Sequence, residues 1–461
     1  MVQTQVVSLR QYLIDASELF FCDRTTQCLI NPLLRGTSLS GRLAELVGRS
    51  VLIATSDQLT TALALIELDG RARRIIILPP DTVVDHLRAL IDDAEADAVV
   101  TDDGARPYDS FDLPVHVVCR PKIVSIGQSA LPSELTEWVL LTSGTVGAPK
   151  MVVHSLASLT APITFSQHFD KPDVWGTFYD IRRYGGLQIF LRAILGGASL
   201  VFSSIGEAMA DHLRRLSSCG VTHLSGTPSH WRRALMSPSI KTISPRYVRL
   251  SGEIADQAVL DSLSTTFQAA GVCHAYASTE AGVAFEVNDR KVGFPAEYFQ
   301  HGRNGVELRV VDGSLHIRSP RTGSHYLGNH PQLRDSEGFV DTGDIVDRVG
   351  DRYVFIGRRG GIINVGGQKV HPEEIEAIIN SHPKVRMSLV RPKQSPVVGA
   401  IVVADVVLHG EGAPQNDELK LKNDILELCR RALPRHKVPT AISFVAALDV
   451  SLTGKLVRRR G

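Results

Sequence analysis

The first half of the chain alternates short apolar runs with longer stretches whose apolar residues recur at helical spacing. The predicted strands are 51–55, 74–78, 98–101, 198–203 and 221–224, and the predicted helices are 58–67, 82–93, 187–195 and 207–218. Strands that alternate with helices are typical of a parallel α/β sheet. We therefore predict an α/β fold with a large N-terminal body of α/β sheets.

Residues 303–356 follow a different pattern, in which apolar and polar residues alternate at every second position. Asp312–Gly313 and Gly350–Asp351 interrupt the alternation, and such pairs favour the tight turns of β-hairpins. The pattern predicts two consecutive hairpins, and hence a small β-barrel-like subdomain after the α/β body.

The segment 358–361, Arg-Arg-Gly-Gly, is the strongest candidate linker. Glycine adopts backbone angles that other residues resist, so Gly360 is expected to act as a hinge. Beyond it, the predicted helices are 371–380 and 417–432, and the predicted strands are 387–391, 401–408 and 442–445. We predict two domains, 1–359 and 360–461, of which the second is a small α+β unit.

Composition narrows the class of protein. Of the 461 residues, 43% are hydrophobic and 21% charged, which excludes a disordered or fibrous chain. The formal net charge of +1 offers no basic surface for nucleic acid or an anionic membrane. No stretch is apolar over the length of a membrane span, and the N-terminus lacks the basic start of a signal peptide. Six cysteines without a C-x-x-C pair suit a reducing compartment, so we expect a cytoplasmic protein.

The stretch 142–150, Thr-Ser-Gly-Thr-Val-Gly-Ala-Pro-Lys, follows the apolar run 138–141 and is therefore a loop leaving a strand. Its glycines let backbone N–H groups converge on an anion, while Lys150 adds a cation and the hydroxyls add donors. An ordinary turn is the alternative. The hydroxyl residues among the glycines favour a polyphosphate loop, although the spacing is not that of a Walker motif.

Two further motifs have the residue types of a nucleotide site. Tyr276, Thr279 and Glu280 offer a ring for a base, a hydroxyl for a phosphate and an acid for Mg²⁺. Asp341 and Asp344 flank Thr-Gly between the two predicted hairpins, where one carboxylate could bind ribose hydroxyls. Taken alone, each motif is more often a core tyrosine, a surface acid or a simple turn.

The last two motifs lie in the C-terminal part. Residues 357–376 combine the hinge, a second glycine pair and a helix that begins near Pro372 with acids in its first turn. The stretch 451–455, Ser-Leu-Thr-Gly-Lys, ends at a lysine that would ordinarily be solvated.

In their order and spacing, these five motifs resemble the adenylate-forming superfamily, which includes acyl- and aryl-CoA synthetases, adenylation domains of peptide synthetases and firefly luciferase. The resemblance runs from about Val51 to Lys455. It implies a reaction in two halves. A carboxylate attacks the α-phosphate of Mg-ATP to give an acyl-adenylate, and after a rotation of the C-terminal domain a thiol displaces AMP.

The resemblance also assigns roles to matching residues. Lys455, Thr279 and Arg358 would act on the reacting phosphate, and Glu280 would hold Mg²⁺. The residues implied in ATP or AMP binding are Thr142, Ser143, Gly144, Thr145, Gly147, Lys150, Gly252, Glu253, Tyr276 and Asp344, with Tyr276 stacked on adenine and Asp344 on the ribose. Gly360 matches the hinge, and Gly366 and Gly367 match the loop that lines the thiol tunnel. Val146 and Ala277 depart from the family pattern, which puts one loop donor and the pocket width in doubt.

The residues of the acyl pocket are the hardest to identify from the sequence. By resemblance it is built from segments that contain Tyr179, Arg183, Gly185, Thr227 and Ala275. Arg183, or its neighbour Arg182, could pair with an anionic group of the substrate or with a CoA phosphate, or it could be a plain surface arginine. Members of the family usually carry a longer stretch before the first α/β unit. Residues 1–50 are therefore expected to form a reduced subdomain or a homodimer contact.

We predict an AMP-forming ligase that uses ATP, Mg²⁺ and CoA. Transfer to the phosphopantetheine of a carrier protein is the close alternative, because both thiols share the same chemistry. An inert nucleotide-binding protein and a luciferase-like oxygenase are the competing classes, and the sequence does not identify the acid.

Overall fold

The computed structural model describes residues 7–13, 18–102, 113–126, 132–142, 149–163, 172–300, 305–395, 399–409, 415–451 and 454–458. In this part of the chain the strands are β1 Phe20–Cys22, β2 Gln27–Leu29, β3 Gly36–Thr37, β4 Ser50–Ile53, β5 Arg74–Ile77, β6 Ala98–Thr101, β7 Val115–Val118, β8 Val124–Ser125, β9 Glu137–Leu141, β10 Met151–Ser155, β11 Val174–Thr177, β12 Ser199–Val201, β13 His223–Gly226, β14 Tyr247–Ser251, β15 Gly271–Ser278, β16 Gly282–Val287, β17 Phe294–Pro295, β18 Glu307–Val311, β19 Ser314–Arg318, β20 His325–Leu327, β21 Val340–Val349, β22 Arg352–Arg358, β23 Ile363–Val365, β24 Gln368–Val370, β25 Val385–Ser395, β26 Gly399–Leu408 and β27 Ala441–Phe444.

The α-helices of the described residues are α1 Gln58–Leu68, α2 Val84–Asp93, α3 Leu156–Thr160, α4 Tyr184–Leu195, α5 Met209–Ser218, α6 Pro228–Leu235, α7 Gln257–Thr266, α8 Pro372–Asn380 and α9 Gln415–Ala432. The predicted elements are found with boundaries that differ by one to three residues at most ends, as expected where helix ends and strand ends fray. None of these helices is long and apolar enough to cross a membrane.

Two large sheets form the N-terminal body. One has the strand order β16-β15-β14-β13-β11-β12-β1-β2, and the other β20-β10-β9-β5-β4-β6-β7. Parallel pairing dominates both sheets, and antiparallel strands lie at their ends. Every residue of α1 is buried, which is the pattern of a helix covered on all sides. The largest core cluster joins α1 and α4 with strands of both sheets, so these helices lie between them.

The predicted β subdomain is a five-stranded antiparallel sheet in the order β17-β22-β21-β19-β18. Both predicted hairpins are present, as β18–β19 and β21–β22. Asp312 and Gly313 both have positive φ, as the tight turn between β18 and β19 requires. The fold class predicted from the sequence is therefore confirmed.

The C-terminal part has its own core. Its buried cluster consists only of residues between Ile363 and Ile442, from β23–β27, α8 and α9. A short 3₁₀ turn at Arg359–Gly361 separates β22 from this unit. A separate core on the far side of that turn is what a movable domain would need.

The described residues of the predicted N-terminal subdomain belong to the body instead. Strand β1 pairs in parallel with β12 and antiparallel with β2, at the end of the eight-stranded sheet. Leu9 and Leu13 are fully buried in the largest core cluster. Strand pairing and burial integrate these residues into the body, and both expectations for residues 1–50, a reduced subdomain or a homodimer contact, stay predictions.

Candidate active site

The predicted phosphate loop is the connection between the antiparallel strands β9 and β10. At its base, the Thr142 amide donates to the Lys150 carbonyl at 2.9 Å, and the Lys150 amide donates to the Thr142 hydroxyl oxygen at 3.3 Å. The Lys150 ammonium lies 4.9 Å from the centroid of the Tyr326 ring. The remaining residues predicted for this loop, Ser143, Gly144, Thr145 and Gly147, lie outside the described residues.

Tyr276, Asp344 and Arg358 form one connected group. The Tyr276 hydroxyl donates to one carboxylate oxygen of Asp344, and the Arg358 Nε donates to the other at 2.7 Å. Burial raises the pKa of Tyr276 well above its usual value, and the Asp344 carboxylate raises it further, so the phenol stays protonated as a donor. The Tyr276 ring stacks on Phe355, with centroids 5.0 Å apart and planes 7° apart.

For the residues Asp341–Asp344, a simple turn was the alternative to ribose binding. They lie inside β21, which runs from Val340 to Val349. Asp344 faces Arg358 across the β21–β22 ladder, so the cross-strand register places the carboxylate and the guanidinium together. Asp341 instead pairs with Arg359 at 2.8 Å and accepts a hydrogen bond from Ser314.

Thr279 and Glu280 occupy the turn between β15 and β16. His154 Nε2 donates to the Thr279 carbonyl at 2.7 Å, and the Glu280 carbonyl accepts the Gly323 amide at 2.9 Å. Two neighbouring segments thus hold the backbone of this turn. Burial lowers the pKa of His154 to about 4, so the ring is neutral and keeps its Nε2 proton for the carbonyl.

Glu280 was predicted to hold Mg²⁺. The described residues contain no group of three or more His, Cys, Asp or Glu side chains that could hold a metal ion. A single partly buried carboxylate nevertheless fits Mg²⁺, because this ion is commonly bound through one or two carboxylates together with substrate phosphates and waters. Such a site would be complete only with ATP present.

Lys455 enters this group from the C-terminal unit. Its Cε lies 3.6 Å from the position that a Cβ would take at Gly252. Burial lowers the pKa of Lys455, and the nearby cations of Arg358 and Arg183 lower it further, while Glu253 and Asp344 act in the opposite direction. The predicted catalytic lysine is therefore brought next to the ribose-binding pair predicted from β21 and β22.

Glu253 has protein partners on both sides. Its carboxylate accepts hydrogen bonds from the amide and hydroxyl of Ser229, at 2.9 and 3.0 Å, and from the Leu456 amide at 3.1 Å. Gly252, beside it, has a φ of 88°, which is the left-handed region that favours glycine. The side chain that was predicted to bind nucleotide therefore joins the body to the segment that carries Lys455.

The residues predicted for the acyl pocket lie on neighbouring elements of the eight-stranded sheet. Tyr179 is buried, and its hydroxyl donates to the Ser251 carbonyl at 2.7 Å. Gly185 lies in α4, where a Cβ would be 3.7 Å from the Tyr179 ring. Ala275 is buried in β15, one residue before Tyr276. Thr227 is engaged differently: its hydroxyl caps α6 and donates to the Gly454 carbonyl at 2.6 Å.

Two adjacent arginines have separate environments. Arg182 is fully buried, with a two-pronged bond to Asp180 and further bonds to the carbonyls of Thr55 and Ser56. Its hydrogen bonds are used within the protein, so the prediction that Arg182 could meet the substrate is wrong. Arg183 pairs with Asp81, and 17% of its side chain is exposed, so it is not a plain surface arginine either.

The hinge and tunnel glycines lie outside this group of residues. Gly360 lies in the 3₁₀ turn and is absent from the residues with positive φ, so this arrangement does not use the conformational freedom expected of it. Gly366 and Gly367 form the exposed turn of the β23–β24 hairpin, both with positive φ and with nothing within 4 Å of an added Cβ. The described structure therefore brings Lys455 to the site and leaves the glycine loop away from it.

Four residues that sequence reasoning missed now stand out. Asp81 pairs with Arg183, and His154 donates to the carbonyl of Thr279. Ser229 donates to Glu253, and His230 packs against Gly454. Each acts on a residue distant in sequence, so no local motif marks it. The sequence offered one signal for His230. Thr227-Pro228 marks the start of a helix, which places His230 in its first turn.

Comparisons with known proteins agree with this geometry. The model of the AMP-binding enzyme family matches residues 30–327, and that of the AMP-binding enzyme C-terminal domain matches 374–455. A 2-succinylbenzoate–CoA ligase of Bacillus cereus is 26% identical over 395 residues, covering 80% of this chain and 79% of its own. The enzyme of the same name from Bacillus licheniformis is 24% identical over 412 residues, with 84% of each chain covered.

Solved structures with the same fold include proteins with bound ATP or a bound acyl-adenylate. The anthranilate CoA ligase AuaEII, in complex with anthranoyl-AMP, matches with a TM-score of 0.79 and 17% identity over 98% of this chain and 96% of its own. ATP-bound MatB from Rhodopseudomonas palustris matches with a TM-score of 0.76 and 21% identity over 97% of each chain. At these identities the match shows the fold.

Proposed function

Because the chain belongs to the AMP-binding enzyme family, we propose that it activates a carboxylic acid with ATP and transfers the acyl group to the thiol of CoA. The family membership confirms the resemblance drawn from the five motifs, and with it the class of AMP-forming acid–thiol ligase. In the first half-reaction a carboxylate oxygen bonds to the α-phosphorus, and the bond from that phosphorus to pyrophosphate breaks.

The observation that carries the proposal is the convergence of Lys455, Arg358 and Asp344. Lys455 comes from the C-terminal unit and lies partly buried next to Gly252, while Arg358 and Asp344 are paired on β22 and β21. The α-phosphate and the attacking carboxylate are both anionic, so two fixed cations lower the cost of bringing them together. Negative charge at the transferring phosphorus is met by groups that are already oriented.

The other residues take the roles that their positions allow. Thr142 and Lys150 close the base of the loop proposed for the β- and γ-phosphates, and Thr279 would contact the α-phosphate from a turn that His154 holds. Mg²⁺, held by Glu280 together with the phosphates, would supply charge neutralisation at ATP. Tyr276 and Asp344 would bind the adenosine, with the Asp344 carboxylate accepting from ribose hydroxyls in addition to its present partners.

CoA is the proposed acceptor because the curated relatives are named as CoA ligases. These names do not favour the carrier-protein alternative. In the second half-reaction the thiolate sulfur bonds to the acyl carbon, and the bond from that carbon to the AMP oxygen breaks. We propose that residues 360–461 rotate about Gly360 between the two half-reactions and bring Gly366 and Gly367 to the thiol. We also propose that the protein is cytoplasmic.

Product analysis tests this proposal. The purified protein is incubated with Mg-ATP, CoA and a panel of aryl, short-chain, medium-chain and hydroxy or keto acids, including the 2-succinylbenzoate of the relatives' names and anthranilate. AMP, pyrophosphate and an acyl-CoA in equal amounts are expected with at least one acid. A purified acyl carrier protein replaces CoA in a parallel series. Thioester on the carrier alone would establish the alternative acceptor, and oxygen uptake with the adenylate would reveal an oxygenase.

A further inference from the structure

The segment that carries Lys455 is a closed turn. The Ser451 amide donates to the Lys455 carbonyl at 2.8 Å, and the Gly454 amide donates to the Ser451 carbonyl at the same distance. A bridge between Val450 and Leu456 continues the turn as a short antiparallel pair. A turn that is closed by its own hydrogen bonds moves as one piece, so whatever holds one of its residues also places Lys455.

The first turn of α6 provides a seat for this segment. Thr227 is the N-cap of α6, where its hydroxyl oxygen accepts the His230 amide and its hydroxyl donates to the Gly454 carbonyl at 2.6 Å. Gly454 has a φ of 73°, and a Cβ there would lie 1.8 Å from His230 Cε1. His230 is buried, and burial lowers its pKa to about 3, so its ring is uncharged where it packs against Gly454. Only glycine fits at this position, because any Cβ would collide with the ring.

Glu253 fastens the other side of Lys455. One carboxylate oxygen accepts the Ser229 hydroxyl and the Leu456 amide, and the second accepts the Ser229 amide. The residues on either side of Lys455 therefore both form hydrogen bonds with the body: Gly454 with Thr227, and Leu456 with Glu253. The body partners, Thr227 and Glu253, belong to two loops at the ends of β13 and β14.

We propose that Glu253 is a positioning residue that latches the Lys455 segment onto the body and so selects the arrangement that makes the adenylate. This inference rests on the proposed function, because it assigns the latch to one of the two half-reactions. The latch must open before the C-terminal unit can rotate. Removal of the carboxylate therefore weakens the adenylating arrangement and leaves the arrangement for thioester formation intact.

Three full-length variants test the latch. Glu253→Ala removes every acceptor of the carboxylate. Glu253→Gln keeps one oxygen, which can still accept the Leu456 amide. Ser229→Ala removes one hydrogen bond to the same carboxylate but leaves the Leu456 amide with its partner, and so serves as the matched control for damage to α6.

The first measurement is hydrogen exchange of peptides that contain residues 454–458, which does not depend on activity. In Glu253→Ala these amides are expected to exchange faster than in the wild type by about tenfold, the effect of losing a hydrogen bond to a charged group. Exchange in Ser229→Ala should rise less than in Glu253→Ala, because the Leu456 amide keeps its acceptor. Glu253→Gln should be intermediate, because its NH2 group faces the Ser229 amide, which also donates. Equal exchange in Glu253→Ala and the wild type would overturn the latch.

The second measurement compares the two half-reactions. ATP–pyrophosphate exchange should fall by about tenfold or more in Glu253→Ala, while thioester formation from a supplied acyl-adenylate and CoA stays within about threefold. The exchange rate of Glu253→Gln should lie between those of Glu253→Ala and the wild type, because one acceptor oxygen remains. Equal losses in both half-reactions would contradict the latch. A wild-type protein without exchange for any acid would contradict the proposed function instead, and the hydrogen-exchange result would still decide the latch.

Gly454→Ala approaches the same seat from the C-terminal unit. The added methyl group would collide with His230, so the Lys455 segment cannot pack against α6 even though Glu253 is present. Pyrophosphate exchange should be lost while thioester formation from the supplied adenylate remains. Exchange at the wild-type rate would show that the seat is not used in the reaction.

Discussion

Lys455 and Arg358 reach the site by different routes. Arg358 is the last residue of β22 and is fixed by its ion pair with Asp344, whereas Lys455 depends on a turn seated against α6. In the proposed rotation, Arg358 would stay with the body and Lys455 would leave it. The two cations should consequently serve different parts of the reaction.

The first prediction concerns Lys455→Ala. Pyrophosphate exchange should fall by roughly 10²–10³-fold, the typical effect of removing one oriented charge-stabilising group. Thioester formation from a supplied acyl-adenylate should be spared. Lys422→Ala is the control, because Lys422 lies on α9 and pairs with Glu418 outside the site. Equal loss in both half-reactions would refute this division of roles.

Arg182 and Arg183 offer a matched pair at adjacent positions. Arg182→Met should lower the free energy of unfolding by about 3–5 kcal/mol, because it leaves the buried Asp180 without its partner. Arg183→Met should cost about 1 kcal/mol or less, since its partner Asp81 is partly exposed, but it should change KM for acids with a second anionic group. Denaturant unfolding and a KM series measure the two effects. Unchanged acid preference together with unchanged thiol KM would remove Arg183 from the pocket.

The lowered pKa of His154 makes the free energy of unfolding depend on pH. Its pKa is lowered by burial to about 4 in the folded protein and returns to its ordinary value near 6.5 on unfolding. The unfolded chain therefore takes up the proton first. Stability is complete above pH 6.5 and declines as the pH falls from 6.5 towards 4, by roughly 3 kcal/mol in all.

Urea unfolding at pH 7 and pH 5 checks this prediction. His154→Gln does not titrate and should lose about 2 kcal/mol less than the wild type between these two pH values. His325→Gln is the control, because His325 is exposed. A loss of stability in His154→Gln as large as that of the wild type would exclude His154 as the source.

At the scale of elements, a buried ion cluster joins the strands that hold Tyr276. Glu286 on β16 accepts a hydrogen bond from Arg192 on α4 at 2.7 Å and forms an ion pair with Arg249 on β14 at 2.6 Å. Burial alone would raise the pKa of Glu286, but the two arginines hold it below its usual value. The cluster thereby fixes helix α4 to the sheet edge next to β15, the strand that carries Tyr276.

Glu286→Gln should therefore destabilise the body by about 3 kcal/mol, because two buried guanidinium groups lose their counter-charge. Adding Arg192→Met to this variant should cost less than Arg192→Met alone, which a double-mutant cycle of unfolding free energies would show. Glu45→Gln, in an exposed pair with Arg42, should leave the free energy of unfolding close to that of the wild type. Additive effects of Glu286→Gln and Arg192→Met would contradict the coupling.

The sequence predicted those elements whose determinants are local. The β18–β19 turn was found because Asp312–Gly313 favours positive φ, and α8 because Pro372 and two acids mark its first turn. The Asp341–Asp344 stretch combines both features. Gly343 has positive φ and its amide donates to the Asp341 carboxylate, as in a local turn, yet the stretch lies in β21. The pairing of Asp344 with Arg358 across β21 and β22 is not recorded by any local pattern.

The site was predictable in part for the same reason. Family motifs pointed to Asp344, Arg358 and Lys455, which the structure brings together. They did not show that Glu253 would bond to Leu456, because the two residues are 203 positions apart in sequence. Contacts across such separations depend on how the domains pack, which composition and periodicity do not encode.

At the scale of the whole molecule, the proposed account requires a body and a lid that take up two arrangements. The separate core beyond Ile363 suits such movement, and the latch of Thr227 and Glu253 holds one arrangement. In that arrangement Gly366 and Gly367 stand at an exposed hairpin turn. The proposed account therefore brings them to the thiol through a rotation of the lid.

Gly360→Pro tests the hinge. A proline fixes φ near −65° and restricts the preceding residue, so rotation at this position should be hindered. Pyrophosphate exchange should stay within about threefold of the wild type, while thioester formation should fall by at least about tenfold. Gly360→Ala is the control, because nothing lies within 4 Å of its Cβ and φ is not positive. Normal thioester formation in Gly360→Pro would place the hinge elsewhere.

Carboxylate-dependent ATP–pyrophosphate exchange is the most direct test of the central claim, that this site joins an acid to AMP. Wild-type protein and Lys455→Ala are assayed side by side with the same acid panel and Mg²⁺. Exchange that requires one class of acid and disappears in Lys455→Ala is the predicted result. No exchange with any acid, although the protein is folded and binds ATP, would contradict the account and identify an inert nucleotide-binding protein.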